Sequence, residues 1–315
     1  MPIDVHPQIQ EILDITAQAG IPKFQDLSPQ EARRLMEKMA NARRKYYPPP
    51  RISSVEEMST GETFNNVPVR LYRRNDKGGG PALVYYHGGG HVVGSLDTHD
   101  TVSRNLCNIA RCTVISVDYR MGPEHPFPAA VDDAYQAARW VSQYAEELLV
   151  DRERLALGGD SAGGNLAAVV ALMARDNKSF PVASQALIYP VVDYRGTTPS
   201  YERYAQGYGL LEARTMNWFR SHYLRDAEAF EDWRASPILA ESHENLPPAL
   251  VLTAQCDVLH DEGVAYVERL RASGVDTEHT NYVGMVHGFF GFLGQVDDAS
   301  SAHQRVGEFL QHHWG

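Results

Sequence analysis

Cationic charge, thiols and long apolar runs are all scarce in this chain, and each shortage excludes a class of function. Lys and Arg number 29 against 40 Asp and Glu, for a formal net charge of −11. Nucleic acid and anionic membrane surfaces attract proteins through basic patches, so neither is an expected partner. The three cysteines, Cys107, Cys112 and Cys256, are odd in number and lack metal-ligand spacing. They read as reduced core thiols rather than a disulfide frame or a zinc site, and no metal is expected. The longest apolar run, 167–174, is far below the ~20 residues a bilayer span needs. Residues 1–10 show no basic stretch leading into an apolar one, so the expectation is a soluble, cytoplasmic protein with no stable membrane association. A small molecule is the remaining partner class.

What is present is an apolar fraction of 43% over 315 residues, enough for one large α/β domain with an accessory element. Ile9, Ile12, Leu13 and Thr16 recur at helical spacing until Gly20 and Pro22 stop them. Ser28-Pro29-Gln30-Glu31 reads as a capping box with proline at the first helical position. It opens a second amphipathic helix through Leu35, Met36 and Met39, which Pro48-Pro49-Pro50 ends. Between Ile52 and Arg73 two strand-like segments flank Asn65-Asn66, predicting an antiparallel hairpin at a sheet edge. After a flexible Lys77-Gly78-Gly79-Gly80, short apolar runs at 82–86, 112–117, 155–157, 185–189 and 249–253 alternate with helical stretches. That alternation predicts a mostly parallel central sheet with helices on both faces. It breaks over 193–236, a segment rich in Tyr and Trp that reads as a helical insertion above the sheet. The predicted division is an N-terminal helical cap element at 1–47, the first part of the core at 48–192, the cap insertion at 193–236 and the rest of the core at 237–315.

The run at 155–157 leads into Gly158-Gly159-Asp160-Ser161-Ala162-Gly163-Gly164-Asn165, a G-x-S-x-G sequence between a strand and an alanine-rich helix start. Gly159 and Gly163 would let a strained strand-to-helix turn close, lifting the Ser161 hydroxyl above the sheet as a nucleophile. The helix start behind it favours developing negative charge. An ordinary structural turn is the bland alternative, outweighed by the strand before and the helix after. His87-Gly88-Gly89-Gly90 follows directly on the run 82–86. Glycines there let backbone N–H groups reach a developing alkoxide, each well-placed donor being worth ~3–4 kcal/mol in the transition state. Serine needs a base, and the base needs an acid to fix its tautomer. Where such an elbow occurs the chain order is Ser, then Asp or Glu, then His. Asp257 lies just past the run 249–253, and His287 just past a further candidate strand at 278–282. With 13 histidines in the chain, His287 is selected by location rather than by residue type. Asp261 and Glu262 are the rivals to Asp257, but are expected to cap the helix through Tyr266 and Leu270.

At these residues the sequence resembles the hormone-sensitive-lipase family of esterases, also called bacterial family IV. The resemblance rests on His87-Gly88-Gly89-Gly90, on Gly159-Asp160-Ser161-Ala162-Gly163-Gly164-Asn165, on the segment from Asp118 through Glu124 to Ala130, on Asp257 with Asp261-Glu262, and on His287-Gly288-Phe289. It implies an α/β-hydrolase fold with a helical cap, and an oxyanion hole made by the backbone N–H groups of Gly89, Gly90 and Ala162. It also implies a supporting role for His87, Gly88, Gly159, Asp160 and Gly163, and makes Glu124 a polar anchor. The departures are His91, where the family usually has an aromatic, and Val258 and His260, where it tends to have proline and arginine. The expected activity is hydrolysis of short- to medium-chain acyl esters, with no cofactor; a homodimer is within what the sequence permits. Amides, thioesters or lactones would suit the same residues. A small-molecule receptor on this scaffold is the reading from another class, and the presence of Ser161, Asp257 and His287 together weighs against it.

Overall fold

The computed structural model describes residues 5–74, 79–209 and 211–315. Within them the apolar runs form one eight-stranded sheet: β1 (Ser54–Ser59), β2 (Pro68–Arg73), β3 (Gly80–Tyr86), β4 (Thr113–Val117), β5 (Val150–Asp160), β6 (Ser184–Ile188), β7 (Ala249–Cys256) and β8 (Thr277–Val286). The spatial order is β1-β2-β4-β3-β5-β6-β7-β8. The hairpin partners β1 and β2 run antiparallel, as do β2 and β4, and every other pairing is parallel. Residues 82–86 and 114–117 are buried without alternation, which is what helices covering both faces of a parallel sheet require.

The helices are α1 (Pro7–Gln18), α2 (Pro29–Arg43), α3 (Asp100–Ala110), α4 (Ala129–Gln143), α5 (Ala162–Asn177), α6 (Ser200–Arg203), α7 (Ala213–Tyr223), α8 (His260–Ala272) and α9 (Asp297–Trp314). Against the sheet, α3 packs on α9 and α4 on α5. The capping box at Ser28 forms: the Glu31 carboxylate accepts from the Ser28 N–H at 3.0 Å, and the Ser28 hydroxyl accepts from the Glu31 N–H at 3.4 Å. Among the described residues no helix is long and apolar enough to cross a membrane. Cys107, Cys112 and Cys256 are buried and unbridged.

Three elements differ from the pattern read in the sequence. Helix α2 stops at Arg43, short of the triple proline, because the next turn folds back: the Tyr46 and Tyr47 N–H groups both bond to the Arg43 carbonyl, and Tyr47 donates to Asn105 of α3 at 2.9 Å. Strand β5 starts at Val150, ahead of its apolar run, since the polar residues 151–154 continue the extended chain at the surface. Among the described residues of 193–236 only those of α6 and α7 are α-helical; Gly196, Gly207 and Gly209 take positive φ and interrupt the rest. Lys77 and Gly78 of the glycine-rich stretch lie outside the described residues. The fold brings His87, Ser161, Asp257 and His287 to the same edge, since each directly follows the C-terminal end of β3, β5, β7 or β8. Ligands of open α/β sheets bind at that edge.

Candidate active site

Ser161 sits between the last residue of β5 and the first of α5 with φ 58° and ψ −118°, a conformation that non-glycine residues rarely hold. Two contacts enforce it. The Ser161 N–H donates to the Ile188 carbonyl of β6 at 2.8 Å. Gly163 lets α5 lie directly on β3: a Cβ there would come within 1.8 Å of the Tyr86 carbonyl oxygen, which leaves glycine as the residue that fits. Strain of this kind persists only where the surroundings over-determine it, and here it holds the serine hydroxyl at the cavity wall.

His287 and Asp257 arrive from the ends of the two last parallel strands. His287 Nε2 lies 2.8 Å from Ser161 Oγ, and His287 Nδ1 lies 2.6 Å from Asp257 Oδ2. Asp257 is only 1% exposed, and its second oxygen accepts from the Leu259 N–H at 3.0 Å, so the carboxylate is fixed from both sides. With Nδ1–H donating to Asp257, Nε2 is the free acceptor for the serine proton. Asp261 and Glu262 do not face His287. Asp261 pairs with His260 at 2.8 Å and with Arg203 at 3.8 Å. Glu262 is buried, accepting from the N–H groups of Val192 and Asp193 at 2.8 and 3.2 Å.

The glycine loop is locked to the elbow through Asp160. Its carboxylate accepts from the Gly88 N–H at 3.0 Å and the Tyr85 hydroxyl at 2.7 Å, with His99 Nε2 at 3.5 Å. Burial alone would raise this carboxyl, but the charge and hydrogen bond of His99 and the Tyr85 hydroxyl hold it down at about 2. Gly89 has φ 122°, and a Cβ there would meet the Val93 carbonyl at 2.0 Å. Among the described residues the N–H groups of Gly89, Gly90 and Ala162 have no acceptor within the protein. Gly89 and Gly90 line the same cavity as Ser161 and His287, and unpaired donors at such a position suit a developing oxyanion. His87 stacks on Tyr119 with ring centroids 4.4 Å apart, and burial lowers it to about 4. No cluster of metal-binding side chains occurs among the described residues.

The α/β-hydrolase-fold family profile matches residues 83–291. The chain is 44% identical over 254 residues to an ethyl acetate hydrolase of Pseudomonas putida, covering 79% of each chain. It is 36% identical over 291 residues to an arylesterase of Saccharolobus solfataricus, covering 92% of this chain and 93% of that one. Among solved structures, a hyperthermophilic esterase from the archaeon Pyrobaculum calidifontis superposes with a TM-score of 0.94 at 40% identity, covering 98% of this chain and 99% of that one. The chain belongs to the hormone-sensitive-lipase family of α/β-hydrolase esterases.

In this family member the departure at His91 is a packing feature. His91 is fully buried and stacks on Tyr223 of α7 at 3.9 Å, with neither ring nitrogen bonded among the described residues. Burial pulls it down to about 3, so a neutral ring takes the aromatic's place. Glu124 is anchored rather than buried: the Arg33 guanidinium of α2 grips both its oxygens at 2.9 and 2.6 Å, holding the carboxyl at about 2. Arg33 also donates to the Val92 and Gly122 carbonyls, tying α2 to the chain just past the glycine loop. Sequence reasoning missed Tyr189, Phe219 and Arg43. Tyr189 follows β6 and sets its ring 4.7 Å from that of His287, so its place at a strand's C-terminal end was the available signal. Phe219 and Arg43 reach the site from α7 and the end of α2, both distant in sequence, and nothing local marks them.

Proposed function

We propose that this ester hydrolase works through an acyl-enzyme on Ser161. His287 takes the serine proton at Nε2 as Oγ attacks the ester carbonyl carbon. The carbonyl oxygen becomes an oxyanion facing the N–H groups of Gly89, Gly90 and Ala162, and His287 returns the proton to the departing alcohol. Water then attacks the acyl-enzyme with His287 again as base, releasing the acid and the free serine. Asp257 keeps the Nδ1 proton in place and stabilises the imidazolium. His87, Gly88, Gly159, Asp160 and Gly163 hold the frame that aims these groups. The observation that carries the reading is the continuous chain of short contacts from Asp257 through His287 to Ser161, at 2.6 and 2.8 Å.

The cavity beside Ser161 is small, about 90 Å³, and the walls Phe24, Met36, Leu211, Met216 and Phe219 are apolar. We assign these walls, from the α1–α2 connection, α2 and 193–236, to a cap over a finite acyl pocket suited to short and medium chains. Each buried CH₂ adds up to ~0.8 kcal/mol until such a pocket is full. The test is direct. Ser161→Ala should fold and lose activity on p-nitrophenyl butyrate by about 10⁴-fold or more. An organophosphate should label Ser161; an adduct mapped to any other residue overturns the assignment.

A further inference from the structure

A second apolar cavity, about 460 Å³, lies between α1, α2 and the end of β8, and shares Phe24, Arg43 and His287 with the cavity at Ser161. Arg43, the last residue of α2, is therefore a wall of both. Its guanidinium lies over the Phe292 ring at 4.6 Å, and among the described residues it has neither a carboxylate partner nor a hydrogen-bond acceptor. That is an unusual state for a half-buried arginine, whose five donors in a fixed fork suit a carboxylate. The ring face offsets part of the desolvation, but leaves the edge donors unmet. Burial lowers it to about 10, against the opposing influence of Tyr189, so it remains a cation at neutral pH. The other charges on these walls do not answer it. Asp160 is held by Tyr85, Gly88 and His99, Glu212 is paired with Lys23 at 2.5 Å, and Asp14 accepts from Gln10. Lys45, a further wall residue, contacts the Tyr46 ring and, among the described residues, no carboxylate.

We propose that Arg43 is a specificity-determining residue that receives a carboxylate at the far end of the substrate, so that the preferred esters carry a free acid several carbons from the scissile bond. This rests on the acyl-enzyme reading at Ser161, since the second cavity serves substrate only if the first one reacts. The short cavity would hold the ester group while the remainder of the molecule runs along the apolar walls to the guanidinium. Charge-assisted bonds of this kind are worth ~10-fold or more in affinity.

The test compares kcat/KM for monoethyl esters of straight-chain dicarboxylic acids of five to ten carbons with their diethyl esters. A parallel series compares butyrate esters of ω-hydroxy acids with those of plain alcohols, which tells whether the carboxylate sits on the acyl or the alcohol side. The wild-type enzyme should favour the anionic member of one series by ~10-fold or more at a preferred length. Arg43→Met should abolish that ratio and Arg43→Lys should keep part of it. Free dicarboxylates should inhibit the wild type competitively more strongly than their diamides, a measurement that needs no variant. A neutral preference at every length in both series, or an anionic preference that survives Arg43→Met, overturns the proposal. Turnover of p-nitrophenyl butyrate in the same preparation leaves the acyl-enzyme reading standing in that event; its absence defeats both.

Discussion

Below the cavity the chain is held by close backbone packing and buried hydrogen bonds; above it, side chains reach across a seam. On the floor, α5 lies so close to β3 that Gly163 has no room for a methyl, and Asp160, Gly88 and Tyr85 are joined at 2.7 to 3.0 Å in the protein's interior. On the roof, α2 is tied down by Arg33 to a Glu124 that is 42% exposed, and Lys23 of the α1–α2 connection to Glu212. The two roof segments meet through Phe24 and Phe219, with ring centroids 6.1 Å apart. The Gly163 approach cannot be relaxed by a rotamer change and the buried bonds to Asp160 are charge-assisted, whereas a partly solvent-facing ion pair such as Arg33–Glu124 is worth ~1 kcal/mol. The floor is therefore the rigid half, and on the proposed reading the roof is where substrate choice can vary at small cost to the fold.

The largest effect that would sharpen this contrast is on the floor. Asp257→Asn should leave the fold intact and lower kcat by about 10³-fold or more, because an amide can hold His287 in the wrong tautomer and cannot stabilise its cation. Asp261→Asn, which among the described residues disturbs the carboxylate's contacts to His260 and Arg203, should stay near wild type. Steady-state kinetics with p-nitrophenyl butyrate decide the matter, and the reverse ranking would remove Asp257 from its role.

The roof should respond differently. Arg33→Met removes the grip on Glu124, Gly122 and Val92 while keeping the apolar stem. We expect kcat/KM on the best ester to fall by about five-fold at most and the melting temperature to drop slightly. The more telling readout is the acyl-length profile. In the wild type it should peak at roughly four to eight carbons, each further CH₂ adding up to ~0.8 kcal/mol only until the pocket is full, and in the variant it should flatten. A wild-type profile still climbing at about sixteen carbons would mean the roof does not close the pocket.

The floor was also the more legible half. Strand runs and the order of Ser161, Asp257 and His287 are local signals, since each sits in a short segment whose flanks report a strand end; on the roof only the capping box at Ser28 was local in this way. The rest of the roof is non-local: Arg33 meets Glu124 across 91 positions and Phe24 meets Phe219 across more than half the chain, pairings that no periodicity encodes. The aromatics over 193–236 suggested more helix than is there, because aromatic content without a helical period reports burial rather than conformation, and the glycines at 196, 207 and 209 break the chain instead. Glu262 shows the same limit in one residue. It was expected to cap α8, and it lies in the first turn of that helix, but its carboxyl turns inward to the backbone after β6.

That inward carboxyl gives the smallest expected effect on activity and a measurable one on stability. Burial raises the Glu262 carboxyl well above its usual value, the N–H groups of Val192 and Asp193 oppose this, and the neighbouring Asp193 and Asp257 charges add to it. One oxygen accepts those two N–H groups, while the other is buried without a partner among the described residues. An acid whose folded value exceeds its unfolded one contributes stability that is complete below the unfolded value of about 4.3 and is lost as pH rises toward the folded one, because the unfolded chain gives up its proton first. Glu262→Gln keeps the accepting oxygen and removes the titration. Any mismatch of its new N–H groups adds a constant offset at all pH values, so the slope carries the information. From about pH 5 upward the variant should gain on the wild type by up to ~1.4 kcal/mol per pH unit, with kcat little changed. Chemical denaturation of both proteins from pH 4 to 8 measures it directly, and parallel stability curves would show that Glu262 ionises in the folded protein as readily as in the unfolded one.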